Sequence, residues 1–164
     1  WTCEQLEKYN YSEQVRGIFC HPGHQQQYVL LSCNKSCEII GLGAGAFAFI
    51  NGYQFQITKE TELYKEQVRS RLFFEADRLS RRSTHQNLME RYIIHNFYSA
   101  VLYRQDFYHR FGQDPLAVFP QVFLKLKKHD LVTIDDAEIR LTRLGKKWRR
   151  NIYYEFHSPE FKSL

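Results

Sequence analysis

Three glycines at alternate positions, Gly41, Gly43 and Gly45, and four cysteines, Cys3, Cys20, Cys33 and Cys37, are the residues here whose type and spacing bear on chemistry. Glycines at every second position strip one face of an extended strand, so that backbone or ligand can approach closely. The run from Ile39 to Ile50 is uncharged and predicts such a strand. A dinucleotide loop would place its third glycine three residues after the second and then open a helix, and no Gly-Lys-Ser/Thr follows. Cys33 and Cys37 would share a face on a helix. Only Cys20, His21 and His24 could complete a metal site with them, and the spacings match no common zinc signature. The tight cysteine run of an iron–sulfur site is missing. No metal ligand and no catalytic residue is assigned: Ser/His/Asp and Cys/His arrangements lack local support.

The elements that must hold these residues follow from turn signals and periodicity. Residues 1 to 14 read as a short helix or frayed end, and Val15–Cys20 as a strand. His21-Pro22-Gly23-His24 reads as a turn, and Tyr28–Ser32 as a second strand. Asn51-Gly52 closes a hairpin into Tyr53–Ile57. Tyr64, Val68, Leu72, Ala76 and Leu79 mark a helix from about 60 to 79. Ser83 with Gln86 suggests a capping box for a second helix to Tyr98, with Leu88, Tyr92, Ile93 and Phe97 inward.

The last third reads as helix, helix, hairpin, helix. Gly112 stops a helix over 105–110, and Asp114-Pro115 caps a continuous helix to about 129. Strands follow at 131–134 and 138–141. Thr142 then caps a final helix with Leu144, Trp148 and Ile152 inward. That order is expected of a winged helix. The fold class is α+β. Residues 1–58 form a glycine-rich β segment, 59–102 a helical linker or lid, and 103–164 a winged-helix-like domain.

Charge is modest, with 23 Lys and Arg against 18 Asp and Glu. Six basic residues and no acidic one lie between Arg140 and Arg150. They read as a solvated face, or as a contact to another domain or to a ligand propionate, rather than as a reader of specific nucleic acid. The helix before the hairpin offers little to base edges. No run is long enough to cross a membrane. The opening residues have no signal-peptide pattern and no initiator Met, which predicts a truncated or processed cytoplasmic chain with reduced thiols.

The run Ile39-Ile40-Gly41-Leu42-Gly43-Ala44-Gly45-Ala46-Phe47-Ala48-Phe49-Ile50-Asn51-Gly52 closely resembles the late glycine strand of radical-SAM proteins of the oxygen-independent coproporphyrinogen oxidase branch. That branch includes haem-chaperone and haem-utilisation relatives. His21-Pro22-Gly23-His24 resembles the family's preceding turn, and Phe107–Gly112 its segment leading into the C-terminal domain. Leu131-Val132 and Leu141-Thr142-Arg143-Leu144-Gly145 are similar to its later strand and last-helix start. The resemblance spans about residues 15 to 156. It implies a partial (β/α) barrel, supplied by a missing N-terminal part, whose 4Fe–4S cluster on three cysteines cleaves S-adenosylmethionine. It places Gly41, Gly43 and Gly45 near that cofactor, with Ile50 beside them. It implies a C-terminal domain that covers a porphyrin or haem substrate. On this reading the chain holds no cofactor itself and is an accessory, substrate-covering region. Phe47 where the family has histidine, and Tyr28–Cys33 in place of its His-Asn and Tyr-Trp pattern, favour a haem-utilisation relative or a diverged member of unknown substrate. The alternatives are a winged-helix nucleic-acid-binding regulator and a structural protein–protein module.

Overall fold

Thr84 begins the longest helix among the described residues, His85–Tyr98. Its Oγ1 accepts from the Asn87 N–H at 3.1 Å, and the Asn87 side chain accepts from the Thr84 N–H at 3.1 Å. This reciprocal cap sits one residue past the expected Ser83/Gln86 pair, and asparagine replaces the longer partner. This helix buries Tyr92, Ile93 and Phe97, whose spacing of one, four and five residues defines one helical face.

The computed structural model describes residues 1–34, 37–71 and 82–158, without the side chains of Cys33 and Asn34. In chain order the elements begin with α1 (Thr2–Lys8), β1 (Ser12–Val15), β2 (Ile18–Cys20) and α2 (Gln27–Val29). Then come β3 (Phe47–Ile50), β4 (Tyr53–Gln56), α3 (Thr61–Arg69), α4 (His85–Tyr98) and β5 (Val101–Tyr103). The last third holds α5 (Arg104–Phe111), α6 (Pro115–Val118), α7 (Pro120–Lys128), β6 (Val132–Ile134), β7 (Glu138–Leu141), α8 (Arg143–Lys147) and α9 (Arg149–Phe156). The chain is α+β, with small antiparallel sheets. It divides into two units: residues 1–36 with 89–164, and residues 37–88.

The first unit has the larger core. Strand β7 lies between β5 and β6 in a three-stranded antiparallel sheet. Leu102 pairs with Ile139, and both are fully buried. Phe156 on α9 anchors an aromatic cluster, with Phe123, Phe119 and Phe97 at ring separations of 5.2, 5.4 and 6.0 Å. Each fully buried ring contributes roughly 1.5–3 kcal/mol. The hairpin expected at 131–134 and 138–141 forms, and the Asp135 carboxylate closes its turn by accepting from the Ala137 and Glu138 N–H groups at 2.8 Å. Asp114 caps α6 as expected, accepting from Leu116 N–H at 2.8 Å, and Gly112 ends α5.

Several expectations are corrected. The helix over 115–129 is broken, because Pro120 brings no N–H and bars the helical region to Phe119, which sits at φ −123° and ψ 51°. Residues 27–34 are helical rather than extended, the helix of α2 running on as a π-helical turn over Leu30–Asn34. A short apolar run such as Tyr-Val-Leu-Leu suits either state. The single strand expected over 15–20 is the hairpin β1–β2, turning at Arg16-Gly17. The helix expected to reach 79 is described as α3, and Leu72, Ala76 and Leu79 lie outside the described residues. The inward stripe of the last helix also shifts. Leu144 and Trp148 are 44% and 52% exposed, and Gly145, Arg149, Ile152, Tyr153 and Phe156 face inward. A break at Trp148 between α8 and α9 resets the helical register.

His95 is a half-buried titratable group that the sequence pattern did not single out. Its Nδ1 donates to the Ser32 carbonyl at 3.2 Å, since that carbonyl can only accept. Burial, and then the positive charge of Arg91, push its pKa down to about 4 from 6.5, against the opposing pull of the Ser32 bond. A depressed folded-state pKa means the unfolded chain takes the proton first. This contribution to stability is therefore complete above pH 6.5 and is lost as pH falls from there towards 4. Wild type should lose on the order of 2–3 kcal/mol more than His95→Gln between neutral pH and pH 4. Urea midpoints of both proteins across that window measure the difference, and parallel curves would contradict it.

Candidate functional site: the glycine loop

The glycine run is a pinned loop and not the strand expected from its alternation. Strand β3 begins only at Phe47. Upstream, Ile39 pairs with Phe49, each N–H donating to the other's carbonyl at 2.9 Å. Between them the chain doubles back, with Gly43 at φ +101° and Gly45 at φ +74°, a region that side chains disfavour. The Gly45 N–H donates to Thr58 O at 2.7 Å, its carbonyl accepts from Gln56 Nε2 at 3.1 Å, and Ile57 N–H donates to Ala46 O at 2.9 Å. At the other end the Asn51 N–H donates to Glu38 Oε1 at 2.6 Å, across the Asn51-Gly52 turn.

The three glycines do different work. A Cβ on Gly41 would lie 2.6 Å from the Phe47 carbonyl oxygen, so glycine there lets the chain pass over its own strand. A Cβ on Gly43 would meet no atom within 4 Å. Its backbone is open to an incoming group. Gly45 is the foot of the loop, against Lys59. Gly41 and Gly43, with Ile40 and Leu42, form one wall of a groove of about 190 Å³, and Ile57, Tyr64, Gln67 and Val68 form the other. Leu42 and Ile40 are 87% and 74% exposed. Such exposure of large apolar side chains beside a groove is the kind that marks a contact surface. Of the four residues assigned to cofactor binding, Gly41 and Gly43 line this groove. Gly45, and Ile50, half-buried at the hairpin turn, do not line it. The far wall was legible only in part: Tyr64 and Val68 were expected as a helical stripe but turn towards the groove.

The groove is apolar with one amide, Gln67, and the open backbone of Gly43. That suits a flat, weakly polar group held by packing and backbone hydrogen bonds. It offers no nucleophile and no acid–base pair. No cluster of three or more metal-ligating side chains occurs among the described residues. Cys3, Cys20 and Cys37 are free thiols. His21 leans on Tyr11 and bonds the Asn10 carbonyl through Nδ1 at 3.2 Å. Among the described residues no helix is long and apolar enough to cross a membrane.

No family model and no curated protein sequence matches the chain. A solved structure does match: coproporphyrinogen III oxidase from Escherichia coli, described as a radical SAM enzyme. The TM-score is 0.69 at 19% sequence identity, over 94% of this chain. At that identity the likeness is one of fold. The chain spans 39% of the length of that enzyme, so what it resembles is one region of a larger protein.

Proposed function

We propose that the chain is the C-terminal region of a radical-SAM enzyme acting on a porphyrin or haem. The glycine loop borders S-adenosylmethionine, and the 89–156 region covers the tetrapyrrole. The observation that carries this reading is the fold likeness over nearly the whole chain, which includes a glycine loop whose Gly43 backbone stands open beside an apolar groove. The 4Fe–4S cluster and its cysteines belong to the preceding barrel. Gly41, Gly43 and Gly45 fix the loop path, and Ile50 stands behind it. The chain contributes binding surface and no reacting group. In the expected 103–164 segment, helices α5 to α7, the β6–β7 hairpin and helices α8 and α9 follow the order of a winged helix. Its hairpin tip carries Asp135 and Asp136, both exposed, which repel a phosphate backbone. That feature favours a protein or substrate cover over a nucleic-acid reader.

Gly43→Val and Leu42→Glu test the loop in the complete polypeptide. Either change should weaken S-adenosylmethionine binding at least about tenfold, equal to about 1.4 kcal/mol. Leu42 is exposed, so its replacement leaves folding intact, which guards against a trivial loss at the strained Gly43 position. Calorimetric affinities with circular dichroism as the folding check supply the measurement. Unchanged affinity in both variants would show that the open backbone is incidental.

A further inference from the structure

A second concave surface lies wholly within the unit formed by residues 1–36 and 89–164. It is a cleft of about 870 Å³, within the size range of small-ligand sites. Its walls are α1, the β1–β2 hairpin, β7 and the α8–α9 junction. Six Lys or Arg side chains and three Glu line it, a net side-chain charge of +3. The charges are arranged in depth. At the floor Arg149, 2% exposed, reaches Glu13 with NH1 and NH2 at 3.3 and 3.0 Å, while its buried Nε finds no partner among the described residues. At the rim Arg143 is held by Glu4 at 2.6 Å. No ion pair of Arg16 or Lys147 is found among the described residues, and Lys146 only grazes Glu13 at 4.0 Å.

Glu4 is the informative residue. Helix α1, which carries it, buries no residue, and the Glu4–Arg143 pair is exposed on both sides. A carboxylate on a loosely seated helix therefore already occupies one of the guanidinium groups of a cationic cleft. Exposed pairs of this kind are worth about 0–1 kcal/mol, so an external anion can replace one. We propose that this cleft binds a small ligand bearing two or more acid groups, which takes the place of the Glu4 carboxylate on Arg143 and engages Lys147 and Arg16. The reading rests on this unit alone and is independent of the glycine loop. The shared chemistry is an oxyanion pair, carried either on phosphates or on carboxylates.

Titration calorimetry of the 164-residue chain with inorganic pyrophosphate and, separately, with citrate distinguishes the two sources. Saturable binding of at least one probe is expected. Lys147→Gln should weaken it about fourfold, the Coulomb value of one unit charge about 5 Å away in water. Glu4→Gln should tighten it by a similar factor, because a competing carboxylate is gone. Asp136→Asn makes the same change in net charge at the hairpin tip, outside the cleft, and should leave affinity nearly unchanged. All three positions are exposed, so folding is not at stake. Absence of saturable binding by both probes overturns the proposal. So does an Asp136→Asn effect as large as that of Glu4→Gln, which would reduce the cleft to net-charge attraction.

Discussion

Gly145→Ala is expected to destabilise the chain by at least about 3 kcal/mol, although alanine is the better helix former by about 1 kcal/mol. The reason is a single backbone approach. The Gly145 position in α8 lies so close to the Leu131 carbonyl that an added Cβ would collide with that oxygen and with the Leu131 backbone behind it. Neither partner can give way. The Leu131 carbonyl accepts from Thr142 N–H at 3.0 Å, and Thr142 Oγ1 accepts from the Gly145 N–H at 2.9 Å while donating to Asp130 O at 2.7 Å. Thr142 thus caps the helix and ties it to the turn before β6, and glycine three residues later is what lets the two backbones touch. Thermal and urea unfolding of the variant would measure the loss. A change under about 1 kcal/mol would mean that the contact relaxes freely.

Removing the Glu13 carboxylate should cost a comparable amount, about 3–5 kcal/mol for Glu13→Ala, because it leaves the Arg149 guanidinium buried without its counter-charge. Arg149 has a side chain only 3% exposed, and Glu13 is its bidentate partner. The same reasoning gives an asymmetric outcome. The double variant Glu13→Ala with Arg149→Met should recover most of the loss, since a paired deletion removes both desolvation penalties. A double-mutant cycle in urea would show it. Additive losses would indicate that packing, and not the ion pair, dominates at this position.

These two sites also mark what a one-dimensional reading reaches. The Thr-x-x-Gly pattern at 142–145 was visible, and so were Asp114-Pro115, the Gly112 stop, the Asn51-Gly52 turn and the long apolar face of α4. In each case the signal is local, a cap, a turn or a period contained in a few residues. Arg149 was read as part of a solvated basic face. Its partner Glu13 is 136 residues away, and no local pattern announces such a pairing. Strand β5 was missed for a similar reason. It has three residues, follows Ala100 at φ +62°, and exists because β7 offers it an edge. The glycine run was legible as a place of close backbone approach but was given the wrong geometry. Alternation fits a strand stripped on one face, while positive φ at Gly43 and Gly45 makes it a loop. Two of the glycines singled out, Gly41 and Gly43, line the groove, and its shape was not legible.

The central proposal places this chain behind a cofactor-bearing barrel. The most direct measurement is anaerobic iron–sulfur reconstitution of the complete polypeptide, followed by assay of S-adenosylmethionine cleavage under reducing conditions. The account predicts one 4Fe–4S cluster per complete polypeptide and reductive cleavage of S-adenosylmethionine, with no cluster assembled by the 164-residue chain alone. A complete polypeptide that assembles no cluster and leaves S-adenosylmethionine intact would contradict it.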